Sequence, residues 1–122
     1  MSTRTTTTGP ARLAPWPAVA FALAVVVHLV VLYLPRAPST GGVPIDKPVH
    51  FAIFGAVLLT AAWAGLRVRP VALVLAGHAV VSELLQHFVL PNRSGDPADV
   101  VADLLGVIVA VGIVTRFPWR RA

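Results

Sequence analysis

Four apolar runs, each close to the length that crosses a lipid bilayer, leave this chain few ways to fold. They extend from about Trp16 to Leu34, Pro48 to Leu66, Pro70 to Leu90 and Pro97 to Phe117. A hydrocarbon core takes roughly 20 helical residues to cross. The chain is 57% hydrophobic and only 12% charged, too apolar for a small soluble domain to hide in its own core. The expected fold is all-α: a four-helix transmembrane bundle. Its 122 residues allow one membrane domain.

The breaks between the runs have the chemistry of turns. Pro35, Pro38, Gly41, Gly42 and Pro44 end the first run and form an extended loop. Val68-Arg69-Pro70 reads as a tight turn, with proline tolerated in the first turn of helix three. Pro91 to Gly95 is a further turn, and Asp96-Pro97 has the pattern of an N-cap followed by proline at the first helical position. Short links make helices two, three and four antiparallel neighbours. Residues 1–14 read as a disordered, Ser/Thr-rich tail, 15–117 as the membrane domain and 118–122 as a basic tail. The first run is longer than the 7–15 apolar residues of a signal peptide, so it is read as a retained helix.

Seven basic residues (Arg4, Arg12, Arg67, Arg69, Arg116, Arg120 and Arg121) flank one side of the expected bundle, against Arg36, Lys47 and Arg93 on the other. By the positive-inside rule both termini are expected to be cytoplasmic, and the chain reads as a multi-pass membrane protein. All five acidic residues, Asp46, Glu83, Asp96, Asp99 and Asp103, fall on the opposite side, as does the only lysine. That shared side follows from the helix count alone, whichever way the protein is inserted.

This layer is where function is sought, because ionisable groups near lipid are costly. Glu83 and Asp103 lie roughly 10 Å inside their helix ends at about 1.5 Å per residue, too deep for a capping role. On neighbouring helices at matched depth, the two carboxylates are expected to meet, with a proton, a cation or a ligand relieving their repulsion. The alternative for them is a structural intramembrane ion pair. Gln86 follows Glu83 by three residues and His50 follows Asp46 by four, so each shares a face with its partner. Lys47 and Arg93 supply positive charge at the rim, Arg93 as a fork suited to carboxylate or phosphate. Asp46 and Asp96 also suit plain N-caps, and Asp99 repeats the logic of a capping box. The candidate binding residues are Asp46, Lys47, His50, Glu83, Gln86, Arg93, Asp99 and Asp103.

Several chemistries have weak support. There is no cysteine, which removes disulfides, thiolate metal sites and cysteine nucleophiles. A metal held by His50, Glu83, His87 and Asp103 lacks any tight ligand motif, so no metal or cofactor is expected. The net charge of +5 points to anionic lipid headgroups, because the arginines border apolar runs; nucleic acid is not an expected partner. His28 and His78, nearer mid-helix, suit a hydrogen bond across the bundle. Small residues at Ala102, Gly106 and Ala110 on helix four, and Gly55 with Ala61 and Ala62 on helix two, mark contact faces.

Taken in order, Asp46-Lys47-Pro48-Val49-His50-Phe51 with Phe54, Glu83-Leu84-Leu85-Gln86 with Pro91 and Arg93, and Asp99, Asp103 and Gly106 resemble the VanZ-like family of small bacterial membrane proteins. The resemblance covers about residues 46–112. Many members carry asparagine where this chain has Asp103. The family's founding member is associated with low-level resistance to teicoplanin, a lipid-bearing glycopeptide antibiotic, so the resemblance implies a role in the cell envelope.

The expected function is an outward-facing polar pocket that binds an amphiphile, either a membrane lipid, a lipid-linked envelope molecule or a lipoglycopeptide. The alternative is an interfacial enzyme using acid–base chemistry on a lipid-linked phosphate or ester; no catalytic residue is assigned, since neither Ser82 nor Ser94 sits in a nucleophile motif. A proton-coupled carrier would need polar groups through to the cytoplasmic side, and His78 is nearly alone there.

Overall fold

The computed structural model describes residues 15–34, 46–90 and 96–117. They form four α-helices and no strand: α1 (Pro15–Tyr33), α2 (Asp46–Trp63), α3 (Val68–Phe88) and α4 (Pro97–Arg116). α1, α3 and α4 are long and apolar enough to cross a membrane, while the apolar part of α2, Lys47–Trp63, is shorter. The expected tails at 1–14 and 118–122 lie outside the described residues, as do the loops before α2 and α4.

α2 is the central element. It packs most extensively on α4 and next on α1, while α3 leans on α4 more than on α2. The order of packing therefore differs from the order in sequence. Phe54, Val57 and Leu58 of α2 fill the centre with Leu32 of α1, Leu75 and Ala79 of α3, and Val107 and Ala110 of α4. α1 is peripheral and buries only His28 and Leu32. Around this thin core the outer faces are apolar too: Leu73 is 74% exposed and Val74 70%. Exposed apolar surface on this scale is stable only where lipid covers it.

Glycines let α2 and α4 meet backbone to backbone. A Cβ at Gly106 would collide with the Phe51 carbonyl, lying 3.0 Å from its carbon, and one at Gly55 would lie 3.3 Å from the Gly106 oxygen. The small-residue faces read from the sequence thus pack against each other.

The turn between α2 and α3 sits earlier than the sequence suggested. α2 stops at Trp63 because Gly65, at φ 91°, takes the left-handed conformation that closes a helix. The Gly65 N–H bonds to the Ala62 carbonyl at 3.0 Å and the Leu66 N–H to Ala61 at 2.9 Å, the pairing of a Schellman motif. α3 then begins at Val68, placing Pro70 in its first turn, where no intrahelical N–H is lost. At α4 the expected cap is present: Asp96 accepts the Ala98 N–H at 2.9 Å and Pro97 opens the helix.

Candidate functional site

The close α2–α4 contact places two basic residues of one helix opposite three acids of the other. Lys47 and His50, one helical turn apart, face Asp96, Asp99 and Asp103. The Lys47 ammonium donates to Asp96 Oδ2 at 3.0 Å and lies 3.9 Å from Asp99 Oδ1. His50 is buried, with Nδ1 2.8 Å from Asp103 Oδ1 and Nε2 3.9 Å from Asp99 Oδ2. One imidazole thus stands between two carboxylates at i and i+4 on α4, with the lysine–aspartate pair at the rim. That rim pair is about half exposed and contributes little stability. The Ala98 N–H, and after it the Lys47 ammonium, hold the Asp96 carboxyl below the usual carboxylate range.

Glu83 reaches the same end from α3. Its Oε1 accepts the backbone N–H of Asp96 at the start of α4, where the helix dipole favours negative charge. This bond replaces the capping box read into the sequence. In such a box the Asp99 side chain would take the Asp96 N–H; Glu83 takes it instead, and Asp99 turns toward Lys47 and His50.

The expected direct meeting of Glu83 and Asp103 is not what forms. Both are buried, Glu83 8% exposed and Asp103 0%, but the partner of Asp103 is His50 and that of Glu83 is the α4 N-terminus. Gln86 turns away from both. Its amide donates to the Leu32 carbonyl of α1 at 2.9 Å, one of the last four carbonyls that a helix cannot satisfy from within. Gln86 thus fastens the peripheral helix. We expect Gln86→Leu to cost about 1–3 kcal/mol, the usual penalty for removing a buried hydrogen bond. A lowered thermal unfolding midpoint in detergent would register it, and an unchanged midpoint would show that α1 is held otherwise.

Of the eight candidates, the structure brings together Lys47, His50, Asp99 and Asp103, with Glu83 adjoining through Asp96. Arg93 and the side chain of Asp46 lie outside the described residues. Asp96, a member of the polar layer that the sequence also suits to an N-cap, caps α4 and pairs with Lys47, and that pairing becomes visible only once α2 lies on α4. His87 is exposed, against the ring of Phe88, so the quartet His50, Glu83, His87 and Asp103 does not assemble. Among the described residues no three His, Asp or Glu side chains are placed to hold a metal ion.

The arrangement has one electrostatic peculiarity. Glu83 Oε2, Asp99 Oδ1 and Asp103 Oδ2 are buried with no hydrogen-bond donor. Buried carboxylate oxygens are normally satisfied, and leaving one unmade costs the desolvation of the group. All three belong to residues that surround His50 or the α4 N-terminus, so the cluster has unused capacity to accept hydrogen bonds and positive charge.

A second polar group lies deeper. His28 Nε2 is 3.0 Å from His78 Nδ1, and the Tyr33 hydroxyl is 2.6 Å from His78 Nε2. This is the cross-bundle bond expected of the two histidines, linking α1 to α3, and Tyr33 is the member that the sequence reading missed. A tyrosine one turn and a residue beyond His28, on an otherwise aliphatic helix, was the available signal.

Comparison with known proteins gives one finding. Residues 4–118 match the family model described as VanZ/LLP1, nearly the whole chain; no curated protein and no solved structure is significantly similar.

Proposed function

The chain belongs to the VanZ/LLP1 family, and from that membership and the buried charge cluster we propose that it binds an amphiphilic envelope molecule by its headgroup at the outer leaflet. The termini would then be cytoplasmic, as the seven-to-three split of basic residues favours. The observation that carries this reading is the set of three buried carboxylate oxygens without donors around His50 and the α4 N-terminus. A headgroup with hydroxyl or ammonium groups supplies the missing donors, and a phosphate on the same molecule meets Lys47 at the rim, with Arg93 of the segment before α4 as a further candidate cation. Lipid-linked wall precursors and amino- or hydroxyl-bearing phospholipids have both features. Sequestering or presenting such a molecule would give the protein a part in glycopeptide tolerance.

Glu83→Gln is the discriminating variant. Glutamine still offers a carbonyl to the Asp96 N–H, so the fold is kept while the charge is lost. Charge-assisted hydrogen bonds contribute about 1.5–3 kcal/mol, so ligand retention should fall about ten- to hundredfold. Native mass spectrometry of protein in mild detergent, comparing wild type with Glu83→Gln and Arg93→Ala, would show a headgroup-specific lipid on wild type alone. Equal, nonspecific retention by all three would remove the reading.

A second reading is an interfacial enzyme, favoured by the imidazole that Asp103 orients through Nδ1. Ser82, the buried serine near Glu83, donates its hydroxyl to the Ala79 carbonyl at 3.1 Å, so it is not poised as a nucleophile. Under this reading Glu83→Gln retains the lipid but loses turnover, which separates the two.

A further inference from the structure

At the end of the bundle away from the carboxylates, α1 and α3 stand apart. The groove between them has a volume of about 610 Å³, with Phe21 and Val25 on one wall, Val71 and Leu75 on the other and Val57 of α2 as its floor. That volume falls within the range of about 300–1,000 Å³ typical of small-molecule sites. Val74 on its lip is exposed, so the groove opens sideways into the bilayer. Arg67, itself exposed, lines its mouth at the α2–α3 turn.

We propose that this groove holds one acyl chain of an anionic phospholipid from the leaflet on the α2–α3 side, with the lipid phosphate on Arg67. Length argues for a lipid tail. From Arg67 to His78 is eleven residues along α3, or about 16 Å at a rise of about 1.5 Å per residue. That is one leaflet's share of a hydrocarbon core about 30 Å thick. At that depth the His28–His78 bond ties α1 to α3 and closes the groove. A helix from a second protein would have to continue across the other leaflet, and the crosspiece stands in its way. In the crosspiece His28 Nε2 and both nitrogens of His78 bond to each other and to Tyr33, while His28 Nδ1 is buried without a hydrogen-bond partner.

Charge argues for the headgroup. Arg67 and Arg69 lie at an end of the bundle with no acidic residue, because all five carboxylates in the sequence belong to the opposite end. Lipid phosphates are the anions that interfacial arginines meet at that depth.

Phosphatidylglycerol with a photoactivatable group midway along its tail, incorporated with the wild-type protein into nanodiscs, tests the placement directly. Crosslinks should concentrate on peptides containing Phe21, Val25 and Val71, at the expense of the outer face of α4. Labelling spread evenly around the bundle would overturn the proposal. In native mass spectrometry, Arg67→Gln should lower retention of phosphatidylglycerol about fivefold, from a contribution of about 1 kcal/mol per basic residue near anionic lipid. It should leave phosphatidylcholine unchanged, and Arg116→Gln, outside the groove, should change neither. Val71→Trp should displace one lipid of either kind; an altered oligomeric state in that variant would instead mark the groove as a subunit contact and overturn the assignment.

Discussion

His50→Leu should destabilise the bundle by about 3–5 kcal/mol, the range found when one member of a buried charged pair is removed. The imidazole is buried and gives Asp103 its hydrogen bond at 2.8 Å. Without it, Asp103 is left at 0% exposure with neither oxygen partnered, since Oδ2 already lacks a donor. Asp103→Leu should cost less, because no unpaired charge is left buried and His50 keeps Asp99 nearby at 3.9 Å. The double variant is the sharper test. Replacing both partners with leucine removes the unpaired group along with its mate, which is often neutral or even stabilising. We expect the His50→Leu/Asp103→Leu protein to regain at least half of what the histidine variant loses. Unfolding in detergent would measure the coupling, and single variants that are mild and simply additive would show that the pair is not the anchor of this end.

Gly106→Ala is expected to have the next largest effect. The added methyl would meet the main-chain carbonyl of Phe51, and a backbone cannot rotate aside as a side chain can. α4 must therefore move off α2, at a cost of about 1–3 kcal/mol or somewhat more for overpacking. The same displacement would lengthen the His50–Asp103 and Lys47–Asp96 contacts, which span this interface. Gly55→Ala should be milder, with 3.3 Å of clearance to the Gly106 oxygen. Gly77→Ala and Gly112→Ala meet nothing within 4 Å and should be neutral or stabilise their helices by up to about 1 kcal/mol. A thermal unfolding series that ranks these four glycines otherwise would contradict the close α2–α4 approach. If ligand retention at the His50 cluster falls with Gly106→Ala but not with Gly77→Ala, the interface itself sets the site's geometry.

The α2–α3 boundary differs between sequence and structure. Apolar character continues through Leu66, so the second run reads past the point where the helix closes, and Val68-Arg69-Pro70 reads as the turn, with proline tolerated in the first turn of helix three. The helix instead ends at Gly65, whose left-handed φ closes the last turn. Pro70 does fall in the first turn of α3, as expected, and only the turn itself lies earlier. Gln86 is a second instance. Its spacing from Glu83 placed it in the polar layer, but α1 lies within reach and offers a terminal carbonyl, and nothing in the local pattern reveals that neighbour.

The sequence by itself determined the four helices, their lengths to within a few residues, and the gathering of every carboxylate at one end. Those follow from run length and from the free energy of placing charge in hydrocarbon, both of which act on each segment separately. The partner of each charge was decided only by tertiary structure. Short links fix that successive helices run antiparallel, but they leave open which helix lies closest and which face it turns inward. The contact between Gly55 and Gly106 settled both, drawing α2 against α4 and giving Asp103 to His50, while Glu83 was left to the N-terminus of α4.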